Sequence, residues 1–319
     1  MQSMSFVREG FRIAGRHKRL VLVLWLVPLI PALVLGAMAA SNLAPVLGQS
    51  LFADRALDGG WFVVLMEFRS SPADALRPII SRGLIVMAML TLLLQVALSA
   101  GVVEVLLERD ERRLFMLGVG KNFLRFFRTT ILLVVTTAVL LFAGHFLIRG
   151  AFKLAEAQAD GRLDLLGIGL TVVLFFILWA PLDLAGDLSR IAAARHDHRS
   201  MVRGFFRALG AVVRRPGLFV PMYLIFLLLP LLLHFVYYQL RSPWTPATVG
   251  AILVLLAAQQ TVMLIRAFFK LGFWGAEIAA YRGLDEPEFC RSKAKTRPVE
   301  EPVAETLEIH DVDEVLEAP

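Results

Sequence analysis

Charged residues and cysteine are both scarce in this chain of 319 residues. Only 19% of the residues are charged, against about a quarter in soluble globular domains, and 57% are hydrophobic. The composition therefore favours a membrane protein over a soluble one. Cys290 is the single cysteine, so the chain can form neither an intramolecular disulfide nor a zinc site made of cysteines.

Sequence signatures of the common enzyme classes are also missing. The chain has no GxxxxGK[ST] phosphate loop, no HExxH zinc site and no GxSxG nucleophile turn. The segment around Asp183 and Asp187 departs from the DxxDGxxAR pattern of membrane alcohol phosphotransferases, because Leu188 stands where that pattern has glycine. No catalytic residue and no cofactor is predicted, and an enzyme that acts on lipid is left as a third hypothesis.

Six long apolar runs account for the composition. Each is long enough to cross a bilayer, which takes about 20 mostly apolar helical residues. The runs occupy residues 20–40, 83–107, 129–148, 165–186, 217–240 and 249–274. The predicted fold is all-α, a polytopic membrane helix bundle of six spans over residues 1–283. An acidic, disordered tail is predicted for residues 284–319.

The distribution of lysine and arginine predicts the orientation. The N-terminus and the second and fourth loops together carry 18 of these residues, and the other three loops carry eight. By the positive-inside rule, both termini are predicted to be cytoplasmic, in a bacterial-type inner membrane. The basic residues lie at the ends of apolar runs rather than on a soluble surface, so no nucleic-acid partner is predicted.

A cleavable signal peptide is the alternative interpretation of the N-terminus. Basic residues precede an apolar run, and Ala37, Met38 and Ala39 resemble a cleavage site. The run from Leu20 to Gly36 is longer than the apolar region of a usual signal peptide, which favours a retained span.

Two similarities within the chain indicate a repeat. The sequence IAAAR at residues 191–195, after the fourth run, recurs as IAAYR at residues 278–282, after the sixth. The basic segments before the first and fifth runs align over residues 5–19 and 200–214, and residues 121–128 form a looser third copy. The bundle is therefore predicted to consist of three two-helix repeats.

These basic segments are predicted to be amphipathic elbow helices in the cytosolic interface. Basic residues at positions i and i+4 share one helical face, and Phe and Val occupy others. Such a helix places its apolar side in the acyl boundary and its basic side chains at anionic headgroups, or simply turns the chain into the bilayer. The residues predicted to contact lipid headgroups are Arg8, Arg12, Arg19, Lys121, Arg125, Arg203, Arg207 and Arg214.

The segment before the fifth span carries a resemblance to a known family. Arg195 and Arg199 precede a stretch rich in Arg and Phe at residues 201–207, followed by Gly210. With six spans, this pattern resembles an uncharacterised bacterial family related to the membrane domain of some glycerophosphodiester phosphodiesterases. The resemblance covers roughly residues 1–283 and implies a six-span membrane fold. The phosphodiesterase domain itself is absent from this chain, so the resemblance implies almost nothing about catalysis.

Five charged residues at membrane depth are the candidate functional residues, because ionisable groups are costly there. They are Glu104, Asp183, Asp187, Arg266 and Lys270. A pair between Arg266 and either Asp183 or Glu104 would neutralise both charges. Structural pairing near the interface is the alternative. His196, Asp197 and His198 are possible metal ligands on adjacent residues, but no further ligand follows at a defined spacing. No metal site is therefore predicted.

The sequence therefore favours a non-enzymatic inner-membrane scaffold, assembly or transport-associated protein that contacts anionic lipid, with a tail on which a protein partner could dock. The alternative is a transporter or permease-like subunit for a hydrophobic or lipid-like substrate, with Asp183, Arg266 and Lys270 along its path. A polar cavity that reaches Asp183 or Arg266 would favour transport, and a closed apolar bundle would count against it. The oligomeric state is not predicted.

Overall fold

The computed structural model describes residues 2–47, 77–108, 114–158, 161–196, 200–241 and 249–283, which form eight α-helices. In chain order they are α1 Gln2–Arg16, α2 Lys18–Leu47, α3 Arg77–Glu108, α4 Leu114–Gln158, α5 Gly161–His196, α6 Met201–Arg214, α7 Pro216–Arg241 and α8 Val249–Gly283. All except α1 and α6 are long and apolar enough to cross a membrane. The predicted all-α fold is confirmed for the described residues, and six of their helices have the length and composition of the predicted spans. The predictions for the tail and for Asp197 and His198 fall outside the described residues.

The helices extend well beyond the apolar runs. α5 continues past residue 186 to His196, and α8 continues past residue 274 to Gly283. The 45 residues of α4 make it about 68 Å long, more than twice the thickness of the hydrocarbon core. The helices therefore continue through the first charged residues after the apolar runs, and the predicted span ends at residues 186 and 274 stay predictions.

Three of the spans form the centre of the bundle. The helices α3, α5 and α8 contact one another pairwise, and one basic segment packs against each of them. The start of α4 packs on α3, α6 packs on α5, and α1 packs on α8. The fully buried apolar side chains of the three central helices include Val102, Val105, Leu188, Ile191, Leu271 and Ile278. Large apolar side chains on the outer surfaces of the spans are exposed, as a lipid environment requires.

Two of the three basic segments are separate amphipathic helices. α1 buries Val7 and Ala14 against the bundle and exposes Arg8 and Arg12. α6 buries Met201, Phe205, Ala208, Ala211 and Val212. The prediction that the apolar side lies in the acyl boundary is wrong for these faces, because protein covers them. α6 has a second apolar surface that is exposed, consisting of Val202, Phe206 and Val213.

The third basic segment is not a separate helix. Lys121 and Arg125 belong to α4, which runs without a break from Leu114 into the third span. This segment packs on α3 at Gly118, where an added methyl group would lie 2.5 Å from the Cβ of Glu104. The prediction of a third elbow helix is therefore wrong, although the segment packs on a central helix as α1 and α6 do.

α1 and α8 approach each other most closely at small residues. A methyl group added at Gly10 would overlap the carbonyl oxygen of Gly272 and lie 2.9 Å from the backbone nitrogen of Ala276. Next to this contact the ring of Phe11 lies 5.2 Å from that of Phe226 and 6.1 Å from that of Phe268, between centroids. Small residues at a helix contact permit close backbone packing within membranes.

Candidate functional site

A charged cavity of about 310 Å³ lies between α3, α4, α5 and α8. Its polar lining consists of Gln95, Ser99, Thr130, Asp183, Asp187, Arg190, Lys270 and Trp274. Gln95 and Lys270 are both exposed, which places an opening of the cavity beside them. The cavity therefore brings together three of the five predicted functional residues, namely Asp183, Asp187 and Lys270.

The best-defined interaction in the cavity is the ion pair between Asp187 and Arg190, one turn apart on α5. The Arg190 Nη1 lies 2.5 Å from Asp187 Oδ1, and both side chains are only 13% exposed. Arg190 also donates through Nη2 to Thr130 Oγ1 at 2.8 Å, and Trp274 Nε1 donates to Asp187 Oδ2 at 3.3 Å. The pair thus joins α5 to α4 and α8, because each partner has a neutral neighbour on another helix.

Asp183 and Lys270 make weaker contacts on the same cavity wall. The Tyr223 hydroxyl of α7 donates to Asp183 Oδ2 at 3.5 Å, the limit for a hydrogen bond. Lys270 Nζ donates to Gln95 Oε1 at 3.4 Å and lies 5.0 Å from the ring centroid of Trp274, within the range of a cation–π contact. These long contacts leave both charged groups able to interact with a molecule in the cavity.

An apolar groove of about 370 Å³ lies on the other side of Tyr223, between α5, α6 and α7. Its lining includes Ile177, Pro181, Val213, Phe219, Tyr223 and Leu227. Tyr223 lines the groove while its hydroxyl contacts Asp183 in the charged cavity. The Tyr223–Asp183 contact therefore lies between an apolar groove and a charged cavity.

Glu104 lies in a separate cluster nearer the ends of the helices. Its side chain is 2% exposed, and its two oxygens accept from Asn122 Nδ2 at 2.8 Å and Lys121 Nζ at 3.3 Å. A second cavity, of about 300 Å³, is lined by Glu104, Lys121, Arg195 and Arg282 among others. Arg282 donates to the carbonyl oxygens of Leu106 and Leu107, which belong to the last turn of α3. This cluster ties α3, α4 and α8 together.

Arg266 takes no part in either cluster. Its side chain is exposed on α8, and within the described part of the chain it pairs with neither Asp183 nor Glu104. Both predicted Arg266 pairs are therefore wrong. Glu104 is instead neutralised by Lys121, which the sequence had assigned to lipid contact.

The residues predicted to contact lipid headgroups mostly lie on the surface. Arg125 and Arg207 are half-buried, while the other six are exposed. The exposed residues are Arg8, Arg12, Arg19, Lys121, Arg203 and Arg214. Their exposure is compatible with headgroup contact, which stays a prediction.

Four residues in or beside the cavity were not predicted from the sequence, namely Arg190, Tyr223, Trp274 and Glu277. Arg190 was counted as a loop residue and Glu277 fell beyond the predicted sixth span, because both follow the end of an apolar run. The spacing of 87 residues between the two similar pentapeptides was a usable signal. It relates Asp187 to Trp274, which are hydrogen-bonded in the structure, and Arg190 to Glu277.

Among the described residues, no group of three or more His, Cys, Asp or Glu side chains is arranged to hold a metal ion. The charged cavity therefore offers paired charges and hydrogen-bonding groups to a ligand rather than a built metal site. No family model, curated protein or solved structure matches this chain, so its function must be argued from this geometry.

Proposed function

We propose that this protein is a transporter or permease-like membrane protein for a lipid-like substrate. The observation that carries the proposal is the charged cavity around Asp183, Asp187, Arg190 and Lys270 in the body of the spans. Charged side chains within membrane spans are costly to bury, and they mark substrate pathways in many membrane proteins. A bundle built only to hold its helices together would be expected to have an apolar centre at this position.

The chemistry of the cavity indicates the class of substrate. Two acidic and two basic side chains give the cavity no net charge and suit a zwitterionic headgroup, because each sign of charge finds an opposite partner. A volume of about 310 Å³ lies at the small end of ligand pockets. The apolar groove beyond Tyr223 suits an acyl chain. Opening the weak Tyr223–Asp183 contact would join the two spaces.

The threefold repeat is part of this proposal. It is supported by the pairwise contacts of α3, α5 and α8 and by the packing of one basic segment on each of them. Repeat interfaces are where many transporters place their substrate sites, and the charged cavity lies between helices of different repeats. The excess of basic residues supports cytoplasmic termini in a bacterial-type inner membrane.

A scaffold that grips anionic lipid is the second candidate function. It is supported by α6, which exposes Arg203 and Arg214 together with the apolar side chains of Val202, Phe206 and Val213. This combination is typical of helices at a membrane surface. A protein partner for the tail and the resemblance to the phosphodiesterase-related family both stay predictions.

The transport proposal predicts that Lys270→Met will slow lipid movement at least about tenfold, because a contact made by a charged group contributes about 1.5–3 kcal/mol. Purified protein is reconstituted into vesicles of phosphatidylethanolamine and phosphatidylglycerol that contain a trace of fluorescent phosphatidylethanolamine. Addition of dithionite then reports how fast the inner-leaflet fluorophore reaches the outside.

Arg266→Met is the matched control. Arg266 lies one turn from Lys270 on the same helix and is exposed like it, but it does not line the cavity, so its replacement should change the rate by less than about twofold. Equal effects of the two substitutions would contradict the assignment of the cavity. A wild-type rate no faster than that of protein-free vesicles would contradict movement of this lipid and leave the scaffold function as the better candidate.

A further inference from the structure

Glu277 of α8 is completely buried in an arrangement that does not suit an ionised carboxylate. Its side chain has no solvent exposure, and neither carboxylate oxygen has a hydrogen-bond partner among the described residues. Its sequence neighbours Ala276 and Ile278 are fully buried as well. A carboxylate that has lost water without gaining a donor is strongly unfavourable, whereas a neutral carboxylic acid tolerates the same surroundings. The fold in this state therefore suits a protonated Glu277.

The groups around Glu277 do not supply a spare positive charge. Those that interact with it electrostatically are Asp183, Asp187 and Arg190 of α5 and Tyr223 of α7. The charged residues of the other elements packed against α8 are Arg8, Glu9, Arg12 and Arg16 on α1, Lys18 and Arg19 on α2, and Arg77, Arg82, Glu104 and Glu108 on α3. Of these, Glu104 is bonded to Lys121 and Asn122, and Lys18 and Arg19 are exposed. On the contact face of α1 near Gly275 lie Gly10 and Ile13, which are uncharged.

The charge balance of the cavity singles out Glu277. Asp183 and Asp187 are balanced by Arg190 and Lys270, so these four groups are neutral together. An ionised Glu277 would add a fifth charge without a counter-charge, and it would compete with Asp187 for Arg190. The Nε of Arg190 is buried without a partner within the described structure and is available for such an exchange.

We propose that Glu277 is a proton-binding site that controls the partner of Arg190. A proton taken from water forms an O–H bond with the carboxylate and gives a neutral acid, and Arg190 then pairs with Asp187 as observed. Release of the proton to water leaves a carboxylate that draws Arg190 away and frees Asp187 towards Lys270. Coupling of this step to lipid movement rests on the proposed function, while the proton site itself does not.

The position of Glu277 gives the proton a short route to one side of the membrane. Six residues separate it from the end of α8 at Gly283, a rise of about 9 Å. Tyr281 lies one turn closer to that end, and its ring centroid is 6.4 Å from that of His196. Groups that exchange protons thus lie between Glu277 and the end of the helix, which by the proposed orientation is cytoplasmic.

Infrared spectroscopy of the full chain in lipid nanodiscs tests the proton site. We expect the wild type to show the C=O stretch of a protonated carboxyl group at neutral pH and to lose it as the pH is raised. In protein labelled with ¹³C-glutamate, which separates glutamic acid bands from aspartic acid bands, Glu277→Gln should lack the glutamic acid band. Glu104→Gln is the matched control, because Glu104 is equally buried but bonded to Lys121 and Asn122, and it should keep the band.

Two results would overturn the proposal. One is the absence of a protonated-carboxyl band in the wild type at neutral pH, and the other is an unchanged band in Glu277→Gln. If this variant does not purify as folded protein, Glu104→Gln labelled with ¹³C-glutamate keeps the test, because a glutamic acid band that survives there cannot come from Glu104, the other buried glutamate of the described residues. The vesicle assay separates the two proposals, since a confirmed band without lipid movement retains the proton site and removes the transport function. If both hold, the dependence of the wild-type rate on pH should be lost in Glu277→Gln.

Discussion

Replacing Arg190 by alanine should lower the free energy of unfolding by about 3–5 kcal/mol, because it leaves Asp187, whose side chain is only 13% exposed, without its counter-ion. The substitution also removes the donor to Thr130 and one link between α5 and α4. The measurement is the denaturant concentration at which half of the purified protein in detergent is unfolded. Helix content and the fraction of monodisperse protein are the two probes of unfolding.

The pair between Arg12 and Glu9 supplies the matched control for Arg190. It has the same spacing of three residues on a helix, but its side chains are 58% and 38% exposed and the charges lie 3.3 Å apart. Arg12→Ala should therefore cost no more than about 1 kcal/mol. The double variant Asp187→Leu with Arg190→Leu should recover much of the loss, since it removes both buried charges. Equal losses for Arg190→Ala and Arg12→Ala would show that the buried pair contributes nothing beyond a surface pair.

Gly10→Ala should destabilise the fold by about 1–3 kcal/mol, even though alanine is the better helix former. The added methyl group would meet the backbone of α8 at Gly272 and Ala276, and backbone atoms cannot rotate away as a side chain can. The measurement is the monodisperse peak in size-exclusion chromatography after heating. We expect half of this peak to be lost at a lower temperature than in the wild type.

Gly15→Ala in the same helix should have the opposite effect and stabilise the fold. Nothing lies within 4 Å of a methyl group added there, so the gain in helix propensity remains, up to about 1 kcal/mol. A stabilised Gly10→Ala protein would show that α1 is not held against α8 in solution. A Gly15→Ala protein that loses as much stability as Gly10→Ala would point to a general sensitivity of α1.

The spans could be predicted from the sequence because hydrophobic length is a property of each segment alone. The length of the helices beyond the apolar runs could not be predicted, because a hydropathy pattern stops at the first charged residues. Arg190 and Glu277 lie beyond those points, yet their helices continue, and Glu277 is fully buried while the Arg190 side chain is only 13% exposed. A charge that ends an apolar run can thus lie outside the membrane or inside the protein, and only the packing of neighbouring helices decides which.

The charged residues of the site were easier to predict than their partners. Asp183, Asp187 and Lys270 stood out because they interrupt apolar segments. Arg266 was one candidate partner for Glu104, but Glu104 bonds to Lys121, which lies on the next helix. The packing of α4 on α3 sets which basic residue reaches Glu104, and the sequence pattern does not contain it. The apolar faces of α1 and α6 could likewise be predicted from the sequence. Whether protein or lipid covers those faces could not, because that also depends on helix packing.

The packing of α1 on α8 has a consequence for biogenesis. These are the first and last of the described helices, so the partner of Gly10 is synthesised only after almost the whole membrane domain. At roughly 5–20 residues per second, α1 waits tens of seconds for α8 to leave the ribosome. During that time its Val7 and Ala14 face must be sheltered elsewhere, and an amphipathic helix can rest on the membrane surface. The contact between α1 and α8 is therefore the last to form, although α1 is synthesised first. It forms when the final span is inserted.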